Sequence, residues 1–362
     1  MNSINKEYGM ELDMKIYLYQ GSYDKVKESG VGKAIDHQKK ALELNNIPFT
    51  LEDDGSWDII QLNTVFPDSL RAARRARREG KKIIYYGHST MEDFKNSFKG
   101  SNTIAPLFKK WICRCYNQGD LILTPTPYSK EILETYPLTK PILPISNGID
   151  LDFFDRNKGD RESFRKKYNL KKEDKVVVSV GLYIDRKGFR EFLELAQSLP
   201  QYQFIWFGYT APALLPENIK EAIKNKPDNV QLPGYISSLE LRDALTGSDL
   251  FLFLSHEETE GIALLEALAM KIPAIVRDIE IYKDRFKTGE AVYKGTKTID
   301  FRKEIQLLLE GEKENLTENA YAVVEKVGLK NVGRRLEEIY IDLLNLSPGG
   351  EVGGYNESID NN

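Results

Sequence analysis

The chain is predicted to be an α/β protein made of two doubly wound parallel sheets in tandem, facing each other across a cleft. Three observations predict this. Short β-rich runs alternate with amphipathic stretches from Met14 onward, as parallel strands joined by crossover helices require. The alternation pauses near residue 150 and then restarts. The length, 362 residues, suits two domains at about 150 residues each, whereas one open sheet seldom grows past about ten strands.

Taken in order, the first half is expected to hold strands at 14–19 (MKIYLY), 57–63 (WDIIQLN), 81–87 (KKIIYYG) and 120–126 (DLILTPT). The turn "NGID" at 147–150, followed by a charged, sheet-poor stretch, separates a first domain, 14–150, from a second, 151–328. In the second, strands are expected at 175–181 (KVVVSVG), 203–208 (QFIWFG), 229–234 (NVQLPG), 249–255 (DLFLFLS) and 273–278 (PAIVRD). Helices follow from about Asp300, and the last, 329–346, is expected to pack back across the first domain. The Gly-rich, polar ending 347–362 is expected to be disordered.

Composition excludes several classes. Apolar residues at 41% and charged residues at 29% rule out wholesale disorder, and a net charge of −4 argues against a nucleic-acid partner. The charge is uneven, with +2 on residues 1–150 and −6 on the rest, so the front half is the more basic. No apolar run approaches the roughly 18 residues of a spanning helix, and the first residues lack a secretion-signal core, so a cytoplasmic location is expected. Cys113 and Cys115, one residue apart, suit neither a long-range disulfide nor a four-ligand zinc site.

Ligands of open parallel sheets sit beyond the carboxyl ends of the strands, so four segments that follow strands are candidates for a site. In "SHEETEGIALLEALAMKIP" (255–273), Glu258 lies in the loop and Glu266, eight positions on, lies inside an apolar helix where packing alone would prefer a hydrocarbon. Sugar hydroxyls would satisfy such carboxylates, and the free N–H groups near Gly261, Ile262 and Ala263 suit a phosphate or sugar oxygen. Each glutamate alone fits an exposed capped helix, Glu260 included; the constellation favours a site. "VVVSVGLYIDRKGF" (176–189) offers Arg186 and Lys187 to a diphosphate leaving group, or is a solvated turn.

In "ESGVGKAIDHQKKAL" (28–42), Gly30 and Gly32 allow close approach of an anion or sugar at a helix start, and a tight turn accounts for them equally. In "YYGHST" (85–90), His88 follows a strand directly; a structural hydrogen-bonding histidine fits that position equally well. His37, beside Lys39 and Lys40 on a helix, is expected at the surface.

At these residues the sequence resembles the retaining GT-B glycosyltransferases of family 4, over nearly all of the chain, and within them the bacterial glycolipid synthases that act on diacylglycerol or glucosyl-diacylglycerol. The motifs are "ETEGIALLE", "NGID", "RKG" at 186–188, the glycine loop and the histidine after a first-domain strand, with "GHSTMEDFKNSF" and "TPTPYSKEIL" carrying the narrower likeness. The resemblance implies two Rossmann-like domains and a UDP-sugar co-substrate, UDP-glucose or UDP-galactose, with no cofactor. It places Glu266 on the ribose hydroxyls, Glu258 and the N–H groups of Gly261, Ile262 and Ala263 on the donor sugar, and Arg186 and Lys187 on the pyrophosphate. Gly30 and Gly32 would close over the phosphates, and His88 would lie near the transferred sugar. Many relatives have arginine where this chain has Leu182. "DLD" at 150–152 resembles a metal-binding Asp-x-Asp but overlaps the "NGID" turn, and the resemblance implies an enzyme that works without a bound metal.

A lipid acceptor fits the stretch "RAARRARREGKK" (71–82), with seven basic residues against one acid. On a helix its alanines face the sheet, while Arg71, Arg74, Arg75, Arg78 and Lys82 face outward to an anionic membrane at about 1 kcal/mol each. "LFKKWICRCY" (107–116) sets Leu107, Phe108 and Trp111 on one side and Lys109 and Lys110 on the other; its apolar side either packs in the core or enters headgroups. The expectation is a hexosyltransferase acting on a membrane glycolipid, peripheral on the inner face of the cell membrane. The alternatives are a same-fold transferase acting on a soluble or cell-wall polymer precursor, and an inactive nucleotide-sugar-binding protein.

Overall fold

The structure, a computed structural model, describes residues 14–97 and 100–345. The expected disordered ending, 347–362, lies outside the described residues, as does Leu346 at the end of the expected last helix.

Two six-stranded, wholly parallel sheets form the molecule. The first is built from β1 (Ile16–Tyr19), β2 (Phe49–Thr50), β3 (Ile59–Leu62), β4 (Lys82–Tyr86), β5 (Leu121–Thr124) and β6 (Ile142–Pro144), in the order β2-β1-β3-β4-β5-β6. The second is built from β7 (Val176–Val180), β8 (Gln203–Phe207), β9 (Val230–Gly234), β10 (Leu250–Phe253), β11 (Ala274–Arg277) and β12 (Tyr293–Gly295), in the order β12-β11-β10-β7-β8-β9. All nine strands expected from the sequence are present. Each central strand is buried on both faces by helices, which is why it reads as a continuous apolar run. The three strands not expected, β2, β6 and β12, are two or three residues long and mostly half-buried at or near an edge, too short to show a period.

Apolar clusters cover both faces of each sheet. One face of the first is closed by the last helix, Leu329–Asn345, which inserts Val332, Leu336, Ile339, Tyr340 and Leu343 among Ile16, Ile59, Ile84 and Leu123. The Tyr340 hydroxyl donates to Gln61 Oε1 at 2.7 Å, and Gln61 Nε2 donates to Gln38 Oε1 at 2.8 Å, so the polar side chain in the middle of β3 is satisfied. The chain leaves the first sheet beside the point where it returns: Ile149 N donates to Val327 O at 3.1 Å, and Leu329 N donates to Ile149 O at 3.0 Å.

The helix Pro67–Arg78 buries Leu70, Ala73 and Ala76 against the first sheet and leaves Arg71, Arg74, Arg75, Arg77 and Arg78 exposed. Lys82, expected with this basic face, instead opens β4: Glu79 caps the helix and Gly80 turns the chain back toward the sheet. On Ser101–Tyr116, Trp111 is half-buried and its Nε1 donates to Val65 O at 2.6 Å, Lys109 Nζ sits 3.8 Å from the centre of the Tyr136 ring, and Phe108 stacks on Phe94. Leu107, expected on the apolar side, is 69% exposed and Ile104 is 45% exposed; Lys110 is exposed beside them. Cys113 and Cys115 are buried free thiols, and burial pushes Cys115 up to about 11.

Candidate active site

Each sheet has one place where its strand order reverses, and loops leaving the two flanking strands there diverge to open a crevice at their carboxyl ends. In the second sheet that place lies between β7 and β10. The loop after β7 carries Arg186 and Lys187, the loop after β10 carries Glu257 to Gly261, and His256 N donates to Arg186 O at 2.7 Å to tie the two together. Topology therefore brings two segments about 70 residues apart in the chain to one edge.

Lys187 Nζ donates to Glu258 Oε1. Glu258 is 6% exposed; burial alone would raise its pKa, but the Lys187 ammonium and then the Arg186 guanidinium outweigh it and hold the carboxyl below its usual range. A matched buried pair of this kind is available for exchange with a polar ligand, whereas either partner alone would be a costly buried charge.

Glu266 stands within the helix Ile262–Ala269 and is 1% exposed. Both of its oxygens accept from Lys33 Nζ of the first domain, at 2.7 and 2.9 Å. The helix begins after Gly261, whose φ of +85° and whose missing Cβ, which would lie 2.5 Å from the Tyr282 hydroxyl, both demand glycine. Ile262 and Ala263 form its first turn, ahead of the bond from Leu264 N to Gly261 O at 2.9 Å, so their N–H groups precede the helical ladder.

The bland reading, with Glu258, Glu260 and Glu266 at the surface, is overturned: all three are buried, and each has a cation. Glu260, 1% exposed, accepts from Ser146 Oγ, from Asn147 N at 2.9 Å and from Arg285 Nη1 at 3.1 Å, and so ties the end of the first domain to the second. Its partners lie 114, 113 and 25 residues away, and nothing local signals them.

Arg186 does not stand free beside Lys187. Its Nη1 lies 2.7 Å from Asp93 Oδ1 and donates to Glu257 O at 2.9 Å, and its Nε donates to Ser97 Oγ at 3.2 Å, so the guanidinium joins the two domains. Nearby, the Tyr128 hydroxyl donates to Glu257 Oε1 at 3.0 Å, and Thr126 Oγ1 donates to Thr259 O at 2.9 Å. Burial pushes Glu257 up to about 7, against the Tyr128 hydrogen bond and with help from the Asp93 carboxylate.

Besides the charged Lys33 and Asp93, the first domain faces this crevice with neutral groups. His88, after β4, is 7% exposed, stacks on Tyr86 with ring centres 4.7 Å apart, and bonds through Nε2 to Asn63 Oδ1 at 2.9 Å. Burial lowers its pKa to about 3, so it is a neutral imidazole; with Asn63 Oδ1 as acceptor, Nε2 carries the proton and Nδ1 keeps a lone pair. Asn63 Nδ2 and Asn147 Oδ1 are buried with no hydrogen-bond partner among the described residues, the condition of atoms that wait for a polar ligand. The helix Gly30–Leu44 starts at Ser29, whose hydroxyl accepts from Gly32 N. A Cβ on Gly32 would lie 2.3 Å from Val26 O, so this glycine serves the tight turn, while Gly30 borders open space.

His37, expected at the surface, is buried and bonds through Nδ1 to Gly148 O at 2.9 Å, because the face Ala34, Ile35, Gln38, Ala41, Leu42 carries it inward. Asp150 and Asp152 do not converge as a metal site: Lys40 takes the first and Lys158 the second. Sequence reading also passed over Tyr209 and Tyr235, exposed just after β8 and β9 and level with the exposed Leu182 after β7. An aromatic directly after a strand-closing glycine was the available signal, and such a ledge suits a planar base.

Comparison with known proteins identifies the family of the chain. A family model described as "Glycosyl transferases group 1" matches residues 160–323, and one described as "Glycosyltransferase Family 4" matches residues 45–153. The chain is 37% identical over 334 residues to the processive diacylglycerol alpha-glucosyltransferase of Acholeplasma laidlawii, covering 92% of this chain and 99% of that one. It is 28% identical to the alpha-galactosylglucosyldiacylglycerol synthase of Streptococcus pneumoniae, over 62% of each. Among solved structures, Anabaena Alr3699/HepE in complex with UDP-glucose superposes with a TM-score of 0.70 at 16% identity, covering 91% of this chain and 99% of that one, a likeness of fold.

Proposed function

The chain belongs to the group 1, family 4 glycosyltransferases, and on that premise we propose that it transfers glucose from UDP-glucose, with retention of configuration, to a diacylglycerol-based glycolipid. The observation that carries this reading is the pair of buried, cation-matched carboxylates, Glu258 and Glu266, at the strand-order reversal of the second sheet. Residues 151–328 hold the donor and residues 14–150 present the acceptor and meet the membrane.

In this reading Glu266 accepts the ribose hydroxyls, Tyr209 and Tyr235 flank the uracil, and Lys187 with the N–H groups of Ile262 and Ala263 meets the charge that develops on the departing diphosphate. Glu258 accepts from the hydroxyls of the glucose, and the lone pair of His88 Nδ1 accepts another. Bond cleavage leaves UDP and an oxocarbenium-like sugar; the acceptor oxygen attacks from the same face and its proton passes to the leaving phosphate. No metal is required, since Lys187 and the helix start supply the positive charge.

The lipid surface is met by Arg71, Arg74 and Arg78 with the exposed Leu107, Ile104 and Lys110. Arg75 contributes less, being 2.6 Å from Asp53 Oδ2 and 2.7 Å from Glu79 Oε1. Among the described residues no helix is long and apolar enough to cross a membrane. Three arginines with no carboxylate partner among the described residues, at about 1 kcal/mol each, give adhesion that salt reverses. The test is labelled UDP-glucose with diacylglycerol or monoglucosyl-diacylglycerol in anionic and in neutral vesicles, with the product read by mass spectrometry. Transfer that is faster on anionic vesicles and slowed by salt is expected; turnover confined to soluble acceptors would overturn the reading.

A further inference from the structure

Lys33 of the first domain forms an ion pair with Glu266, and the mechanism above leaves its ammonium without a task once ribose arrives. Its geometry is specific. The Nζ lies within 2.9 Å of both carboxylate oxygens, so ribose hydroxyls must displace it or share those oxygens. Lys33 is 23% exposed against 1% for Glu266, so the lysine is the partner with room to move. It stands in the first turn of the helix Gly30–Leu44, beside open space at Gly30, and the ion pair brings that helix start within one side-chain length of the helix that carries Glu266.

The charge balance of the crevice says where the ammonium goes. A nucleoside diphosphate brings two or three negative charges. Of the nearby cations, Arg186 is held by Asp93 and the Glu257 carbonyl, Lys40 by Asp150, and Arg285 by Glu260. On the second domain Lys187 remains to face the diphosphate once the glucose hydroxyls take up Glu258, its partner in the empty enzyme. The phosphates hang from the 5′ carbon of the same ribose whose hydroxyls would reach Glu266, within the sweep of a four-carbon side chain.

We propose that Lys33 exchanges Glu266 for the diphosphate of the donor, so that one positioning residue on the first domain both neutralises Glu266 in the empty enzyme and clamps the phosphates in the loaded one. In the empty state it prevents a buried, unpaired carboxylate. In the loaded state it makes diphosphate binding depend on both domains. When UDP departs, the ion pair forms again. This inference rests on the ribose role given to Glu266.

The test compares UDP with uridine, which has the ribose and lacks the phosphates, by isothermal titration calorimetry on the intact chain. In Lys33→Met, UDP affinity should fall about 10- to 100-fold, the loss of a charge-assisted contact, while uridine affinity stays equal or rises because Glu266 is released. Lys33→Arg should keep UDP affinity within about threefold. A lysine that merely braces the two domains would weaken both ligands alike, and that result, or unchanged UDP binding in Lys33→Met, overturns the proposal while leaving the donor reading intact. A native chain that binds neither ligand overturns both.

Discussion

The two halves of the molecule share a plan and differ in what they place at its critical point. Each is a six-stranded parallel sheet that reverses strand order once, between β1 and β3 in the first and between β7 and β10 in the second. At the first reversal and beside it the chain's own groups are neutral apart from Lys33, which turns to the other domain: Asn63, His88 and the backbone at Gly30. At the second stand buried ionised ones, Lys187 with Glu258, and Glu266 held by a lysine from across the cleft. The difference teaches that topology supplies the slot and side-chain charge assigns its task. A diphosphate and a developing cation need preorganised charge, whereas a sugar hydroxyl needs a neutral partner in a dry wall.

Breaking the charged crevice should cost most. Glu258→Ala is expected to lower turnover about a thousandfold while donor affinity changes only a few-fold, since its hydrogen bonds from the glucose hydroxyls strengthen as positive charge appears on the sugar during transfer. Initial rates at saturating donor check this, and an unchanged turnover number would show that the pair with Lys187 is structural. Glu266→Ala should act on binding instead, raising the donor KM about 10- to 50-fold with a small effect on turnover. Should KM hold steady while turnover collapses, the two glutamates have exchanged roles.

The neutral crevice should be gentler. His88→Ala is expected to reduce kcat/KM about tenfold, the worth of one uncharged hydrogen bond. Because burial lowers the native pKa of His88 to about 3, the pH–rate profile of the wild type should show no inflection near 6.5 from this residue. An inflection there that vanishes in His88→Ala would contradict the neutral wall.

The smallest effect is expected between the two crevices, at Glu257. Its native pKa of about 7 lies above the ordinary 4.5, so the folded chain binds this proton more tightly than the unfolded one. Stability from this group is therefore complete below about pH 4.5, declines as pH rises to about 7, and is gone above it. Glu257→Gln should raise the Tm by about 2–4 °C at pH 8 and leave it unchanged at pH 5, as thermal scans would report. Equal shifts at both pH values would place the effect on the Tyr128 hydrogen bond.

The sequence made the strands legible where burial on both faces forces long apolar runs, as in VVVSV and LFLF, and hid them where an edge strand is two or three residues long. Glu258, Lys187 and His88 stood out in the sequence because each lies in the segment that follows a strand, a rule of topology rather than of residue type, and Glu266 because it is a carboxylate inside an apolar helix. What stayed hidden was partnership at a distance. His37 finds Gly148 O, Glu260 finds Ser146, Lys33 finds Glu266 and Arg186 finds Asp93, across 111, 114, 233 and 93 residues in turn. A polar residue on a helix among lysines looks solvated until the other domain covers it.

The last helix carries one more consequence, for how the protein is made. The first sheet completes one of its two apolar layers with Val332, Leu336, Ile339 and Tyr340, and Tyr340 reaches Gln61 across 279 positions. During translation the portion that emerges first must therefore wait, with Ile16, Ile59 and Leu123 uncovered, while the later portion has every strand it needs and folds ahead of it. A chain stopped at Gly328 should lose its leading half to limited proteolysis well before its trailing half.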